Sequence, residues 1–315
     1  MNFILAFFCM FIPLVEEPVD TFMLESIDVV ASLKQSDENV SNFSSTTVGR
    51  VQLENRHIAS LKELSSIAPN FYQPDYGSRM TSSIYVRGFG SRIDQPVVGM
   101  SIDGVPVLNK NNYDFDFFDV SSVQIMRGAQ STLYGRNTVG GAINIQTLSP
   151  LVFQGKRLSL EYGTANTVRA KASHYSKYSD NFGWSVSAYY SHSDGFFKNT
   201  YLNRNCDGGD NFSARLRLQF KPTQQLSIDN AFSMGYLDEG GYAYGAYDSQ
   251  TSTLAPVAYN APSTYQRFSI SDGLTIKRLF GDITFSSTTA YQYTDEPGQR
   301  RGELHRPGSS LHPNY

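Results

Sequence analysis

Val123-Gln124-Ile125-Met126-Arg127-Gly128-Ala129-Gln130-Ser131-Thr132-Leu133-Tyr134-Gly135-Arg136-Asn137-Thr138-Val139-Gly140-Gly141-Ala142-Ile143-Asn144-Ile145-Gln146-Thr147 is the stretch that decides the fold. Its two ends alternate apolar and polar residues, which predicts strands. Between them Gly128, Gly135 and the pair Gly140 and Gly141 mark places where the backbone needs positive φ or a close approach that a side chain would block. The simplest parse is strand, glycine turn, one helical turn, glycine pair, strand. A single block of this kind suits many α/β and all-β folds.

Further blocks precede it in a fixed order. Ser60-Leu61-Lys62-Glu63 has the spacing in which a serine oxygen and a glutamate carboxylate satisfy free N–H groups at a helix start. Leu61, Leu64 and Ile67 continue the apolar side and Pro69 ends it. Ile84-Tyr85-Val86-Arg87-Gly88-Phe89-Gly90 and Val97-Val98-Gly99-Met100-Ser101-Ile102-Asp103-Gly104-Val105-Pro106-Val107 read as strands broken by turns. Asp103 and Gly104 supply the left-handed geometry of a tight hairpin.

Arg87-Gly88-Phe89, then Ile102-Asp103-Gly104-Val105-Pro106, then Arg127-Gly128 through Tyr134-Gly135 to Gly140-Gly141 and Asn144 resembles the plug domain of TonB-dependent outer-membrane receptors, over roughly residues 27–147. The resemblance implies a mixed α+β plug followed by the strands of a transmembrane barrel. It also implies that Arg87 and Arg127 sit where the plug's polar surface meets the barrel wall, with an ordinary surface ion pair as the alternative for each. Two departures bear on this: Ala129 stands where the family usually has proline, and Gln124 where it usually has glutamate. The second removes a carboxylate that could pair with Arg127. Upstream, Ile27, Asp28, Val29, Val30 and Ala31 look like the family's TonB box, an extended segment that an inner-membrane TonB-type energy-transducing complex captures as an added strand. Asp28 is an acid where relatives tend to be apolar, and a first plug strand is the competing reading.

After Pro150 the texture changes to long alternating strands. Leu158, Leu160 and Tyr162 face away from Ser159 and Glu161; Leu216, Leu218 and Phe220 face away from Arg215, Arg217 and Gln219. Apolar-out, polar-in strands with aromatic ends predict an outer-membrane antiparallel all-β barrel. Short turns near residues 179–183, 221–224 and 279–282 alternate with long loops near 194–210 and 237–263, the rhythm of periplasmic turns and outer loops. A soluble β-sandwich is the alternative. About seven strands fit into residues 148–315, whereas a lumen that holds a plug takes about 22. The expectation is therefore an incomplete receptor, with a loop-like tail at 302–315.

Composition agrees with a membrane wall. Charged residues make up 17% of the 315, aromatic residues 13%, with 20 Tyr and 21 Phe. Mean hydropathy is -0.33, which excludes a bundle of membrane-spanning helices. A formal charge of -3 gives no general pull toward nucleic acid. The apolar segment at residues 2–15 reads as a secretory leader, without a basic residue before it. Two cysteines, Cys9 and Cys206, cannot form a disulfide framework. His57, His174, His192, His305 and His312 are dispersed, so no zinc motif, cofactor or catalytic constellation is expected.

The expected organisation is a leader at 1–15, an extended segment at 16–31, a plug at 32–147 and barrel strands at 148–315. The expected function is energy-coupled uptake of a scarce nutrient chelate across the outer membrane of a Gram-negative bacterium, with a ferric siderophore leading and cobalamin, haem and oligosaccharides open. A secreted β-rich adhesin or binding module is the alternative. Candidate ligand contacts are Tyr72, Gln73, Tyr76 and Arg79 in one loop and Asn112, Tyr113 and Phe115 in another. Expected partners are the chelate, the energy-transducing complex and outer-membrane lipid.

Overall fold

A computed structural model describes residues 44–74, 83–91, 95–114, 116–241 and 243–296, all within one compact unit, 36–315. The leader, Ile27, Asp28, Val29, Val30, Ala31, Tyr76, Arg79, Phe115 and the 302–315 tail lie outside the described residues.

The first half of the unit is a five-stranded sheet. Its strands are β1 (Ser44–Gly49), β2 (Val98–Ile102), β3 (Val105–Pro106), β4 (Val120–Arg127) and β5 (Gly141–Thr147), in the order β1-β4-β5-β2-β3. Strands β2 and β5 pair in parallel and the other neighbours are antiparallel. The quoted stretch folds as its pattern predicts: β4, a turn with Gly128 at φ 97°, the helical turn α2 (Ser131–Tyr134), and β5. At Gly141 a Cβ would lie 2.6 Å from the Met126 carbonyl oxygen, so only glycine fits this end of the β4–β5 pair.

Alternation on these strands builds the core. Val123, Ile125, Ile143 and Ile145 are fully buried on one face, together with Val98 and Met100 from β2. Each such side chain contributes roughly 1.5–3 kcal/mol by leaving water. The helix α1 (Arg50–Asn55), with Leu53 buried, and Leu61 and Leu64 cover the same face. Sequence reading places a capped α-helix at Ser60; the chain makes only a 3-10 turn, Glu63–Ser66. Glu63 still reaches back, but it accepts from the Ala59 N–H. Over residues 84–90 the chain makes the expected strand broken by a turn, with a short strand. Tyr85–Val86 pairs with Phe71–Tyr72, and Arg87 and Gly88, at φ 52° and 80°, turn the chain straight back.

The second half is a seven-stranded antiparallel meander, in which every strand pairs with its sequence neighbours. Its strands are β6 (Gly155–Gly163), β7 (Thr167–Ser179), β8 (Phe182–Ser193), β9 (Gly209–Thr223), β10 (Leu226–Gly240), β11 (Thr264–Phe280) and β12 (Ile283–Asp295). The connections are unequal: two residues join β7 to β8, β9 to β10 and β11 to β12, whereas residues 194–208 and 241–263 form long loops at the other end. The resemblance implies that the short-turn end faces the periplasm and the long-loop end faces outward. One face of this wall is buried against the plug sheet and the other exposes Val186, Tyr190, Leu216, Phe220, Leu274 and Phe285.

Candidate functional site at the plug and wall contact

Polar side chains alternate onto the inner face of the wall, and three arginines there take plug carboxylates. Arg217 Nη1 lies 3.0 Å from Asp103 Oδ1, in the β2–β3 turn. The same guanidinium grips Asp229 on β10 with Nη2 at 2.7 Å and Nε at 3.1 Å, and donates to the Thr147 carbonyl and hydroxyl. Asp103 in turn accepts the Thr147 N–H at 2.9 Å and its hydroxyl at 2.7 Å. One turn of the plug is thus tied at once to β5 and to two wall strands. Arg215 meets Asp119 at 2.5 Å, both side chains being 4% exposed, and stacks over Phe118. Burial pushes the Asp119 carboxyl up, and Arg215 opposes the shift. Arg267 takes both oxygens of Asp114 at 2.8 and 2.9 Å. The two-nitrogen fork of Arg217 on Asp229 fixes orientation as well as charge.

Neutral bonds continue the seam. Gln292 on β12 accepts from the Leu108 N–H and donates to the Pro106 carbonyl; Asn111 and Asn112 donate to Glu296 and Thr294. Apolar fit joins them at Gly273, where a Cβ would come 2.3 Å from Val105 Cγ2, so the wall lacks a side chain where the plug hairpin presses in. Beside this contact a cavity of about 120 Å³ opens between the plug segment bearing Asp114, Asp116 and Phe118 and the small inward residues Ser213, Gly235 and Ser269.

The residues named from the sequence are distributed unevenly over this geometry. Asp103 and Gly104 form the expected hairpin turn, at φ 51° and 83°, and Asp103 proves to be a wall contact. Asn144 is buried and accepts from Ser101 Oγ at 3.2 Å; Tyr134 is half-buried on α2. Arg127 is 6% exposed and donates to the Pro69 carbonyl, Ser44 Oγ and Thr46 Oγ1, all plug groups. It is a brace across β1, not a contact to the described wall. Arg87 lies exposed at its turn, near Gly128. Gln124 is buried and its Oε1 has no hydrogen-bond partner.

Of the ligand-loop residues, Tyr72 is 57% exposed, whereas Gln73 is buried. Asn112 points to the wall and lines the cavity. Tyr113 belongs to the plug core, where burial pushes its phenol up to about 12. Sequence reasoning did not single out Asp114, Asp119 or Arg267. The available signal was the polar parity of Arg215, Arg217 and Arg267 on their strands, which demands carboxylates from whatever fills the lumen.

A sheet packed into the polar face of a lipid-facing meander is the architecture of an outer-membrane receptor closed by a plug. Residues 37–142 match the TonB-dependent Receptor Plug Domain. The pesticin receptor of Yersinia pestis is 38% identical over 130 residues, 40% of this chain and 19% of that protein. The vitamin B12 transporter BtuB of Vibrio vulnificus is 23% identical over 232 residues, 69% of this chain and 36% of that one. Among solved structures, the ferric yersiniabactin uptake receptor FyuA from Yersinia pestis superposes with a TM-score of 0.71 at 27% identity, over 81% of this chain and 41% of that one. The chain thus spans about a fifth of the pesticin receptor and two fifths of FyuA. By name these relatives are receptors and transporters.

Proposed function

We propose that the protein takes up a small, scarce nutrient chelate of the ferric siderophore class across the outer membrane, driven by an inner-membrane TonB-type complex. The observation that carries this reading is the seam of Arg217–Asp103, Arg215–Asp119 and Arg267–Asp114. A plug held by buried ion pairs and a recessed glycine blocks free diffusion, so passage needs work done on the plug, and the outer membrane has no nucleotide to supply it. Likeness to FyuA and to the pesticin receptor, and matches to ferrioxamine B receptors of Salmonella typhimurium, favour an iron chelate over a cobalamin. Ile27, Asp28, Val29, Val30 and Ala31 are the proposed handle for the energy-transducing partner. Tyr72 and the plug segment around Asn112 are the proposed ligand contacts; Tyr113 acts from the core beneath them.

The test is growth. The complete reading frame, expressed in an iron-starved strain stripped of its own siderophore receptors, is expected to restore growth on at least one ferric siderophore, only while the energy-transducing complex is present. Restoration that persists without that complex, or growth on cobalamin and none on any iron chelate, overturns the reading.

A further inference from the structure

The two long loops, at the end that the resemblance turns outward, meet through one side chain. Asn199, in the loop between β8 and β9, is 1% exposed. Its Nδ2 donates to the Tyr259 carbonyl at 3.1 Å and its Oδ1 accepts the Tyr259 N–H at 3.3 Å. The amide thus clasps both backbone groups of one residue in the loop between β10 and β11. The same Oδ1 accepts the Tyr201 and Leu202 N–H groups at 3.0 and 3.2 Å, which fixes the clasp in its own loop. Next to it, Thr200 donates to the Val257 carbonyl from N at 2.8 Å and from Oγ1 at 3.0 Å. At the loop roots the Gly240 N–H donates to the Gly208 carbonyl at 2.7 Å, and a Cβ on Gly240 would run into the Cys206 carbonyl. Each loop is also ordered within itself. Lys198–Asn199 pairs with Arg204–Asn205, and the Asp207 carboxylate accepts the Phe196 and Phe197 N–H groups. Tyr247–Asp248 pairs with Thr253–Leu254, and the Ala255 N–H donates to the Ala246 carbonyl.

Backbone groups stay when a side chain is changed, so losing this amide would leave the buried Tyr259 N–H and carbonyl unmet. Aspartate in its place lacks the donor for the carbonyl and buries a charge. We propose that Asn199 is a positioning residue that pins the two long loops into one rigid rim, formed before any ligand arrives. Loops are ordinarily the mobile part of a scaffold, and ordering them on binding subtracts from affinity. A rim already ordered avoids that cost. Whatever a ligand touches on either loop is then held by both, because neither loop can shift without breaking the Asn199 and Thr200 bonds to its neighbour.

The rigid rim can be tested with no ligand present, so its failure is separate from failure of the uptake reading, on which only its part in capture rests. Spin labels are placed at the exposed Lys198 and Gln250, one on each loop, in a cysteine-free full-length receptor in lipid nanodiscs. Pulsed electron resonance is expected to give one narrow distance distribution, which N199A broadens about twofold. Hydrogen exchange of peptides 196–202 and 255–261 is expected to quicken together in N199A, about tenfold, while β8 and β9 keep their protection. T200V, which removes only the hydroxyl bond to Val257, should quicken the same two peptides to a smaller extent. If N199A disturbs β8 and β9 as well, T200V decides by the same readouts. A broad distribution in the parent receptor overturns the proposal. So does N199A that changes neither readout, or a variant that quickens one loop and leaves the other as it was.

Discussion

Arg217 in the wall and Asp103 in the plug hairpin, 3.0 Å apart, join two halves that share no strand pairing among the described residues. Both side chains are nearly out of solvent, at 10% and 3% exposure. Removing one partner of such a pair leaves an uncompensated buried charge, a penalty of about 3–5 kcal/mol. Arg217→Ala in the full-length receptor is expected to lose that much stability against denaturant. Arg217→Lys should recover only part of it, because an ammonium cannot reproduce the two-point grip on Asp229. Equal stability of Arg217→Ala and the parent protein would show that the pair does not hold the plug.

Gly273 predicts a suppressible defect. A methyl group there must displace Val105, and over-packing of this kind costs about 1–3 kcal/mol. Gly273→Ala is expected to loosen the plug, seen as faster proteolysis of the 98–107 segment, and Val105→Ala in the same chain is expected to restore resistance. Failure of the second change to compensate would show that the two residues do not meet.

Tyr113 separates a packing role from a ligand role. Tyr113→Phe should leave chelate uptake unchanged, since the ring sits in the plug core, whereas Tyr113→Ala should cost about 3–5 kcal/mol of stability. With its phenol pushed up to about 12, Tyr113 is expected to remain un-ionised in an ultraviolet titration to pH 11. A drop in chelate affinity for Tyr113→Phe with stability intact would return the residue to the binding surface.

In the outer loop, Asp248 accepts from the Gln250 and Thr251 N–H groups and from the Thr251 hydroxyl, and these hold its carboxyl below the ordinary carboxylate value of 3.8. A depressed acid contributes order that is present above the unfolded value and disappears as pH falls through the folded one. Hydrogen exchange of the Tyr247–Asp248 and Thr253–Leu254 ribbon should therefore be unchanged from pH 7 to about pH 5 and quicken, relative to the intrinsic rate, below 3.8. Asp248→Asn should remove most of that dependence.

At the proposed handle, Val29→Pro removes a donor and stiffens a segment that has to be added as a strand. Retention of the full-length receptor on the partner's periplasmic domain is expected to fall at least tenfold. Unchanged retention would reassign residues 27–31.

The glycine-punctuated stretch from Val123 to Thr147 announced its two strands and helical turn because each glycine answers a local backbone need. The wall was equally readable, since alternation over a dozen residues has few other solutions. Local signals did less well where tertiary packing decides. Ser60 carries a helix-start pattern that shrinks to one 3-10 turn, and α1 forms with no side-chain cap at Gly49. Arg127 and Asp119 could not be sorted by sequence. Both are charged residues flanking one strand, yet the first braces the plug internally and the second reaches the wall. Which carboxylate meets which guanidinium depends on how two separately patterned halves nest, and no spacing along the chain records that.

The missing side chain at 273 also limits how such receptors diversify. A wall recessed to accept Val105 is expected to fit a foreign hairpin poorly where a different side chain stands at that tip. Where recombination does splice a foreign plug into this wall, the hairpin tip and its glycine seat must travel together, or the hybrid will leak.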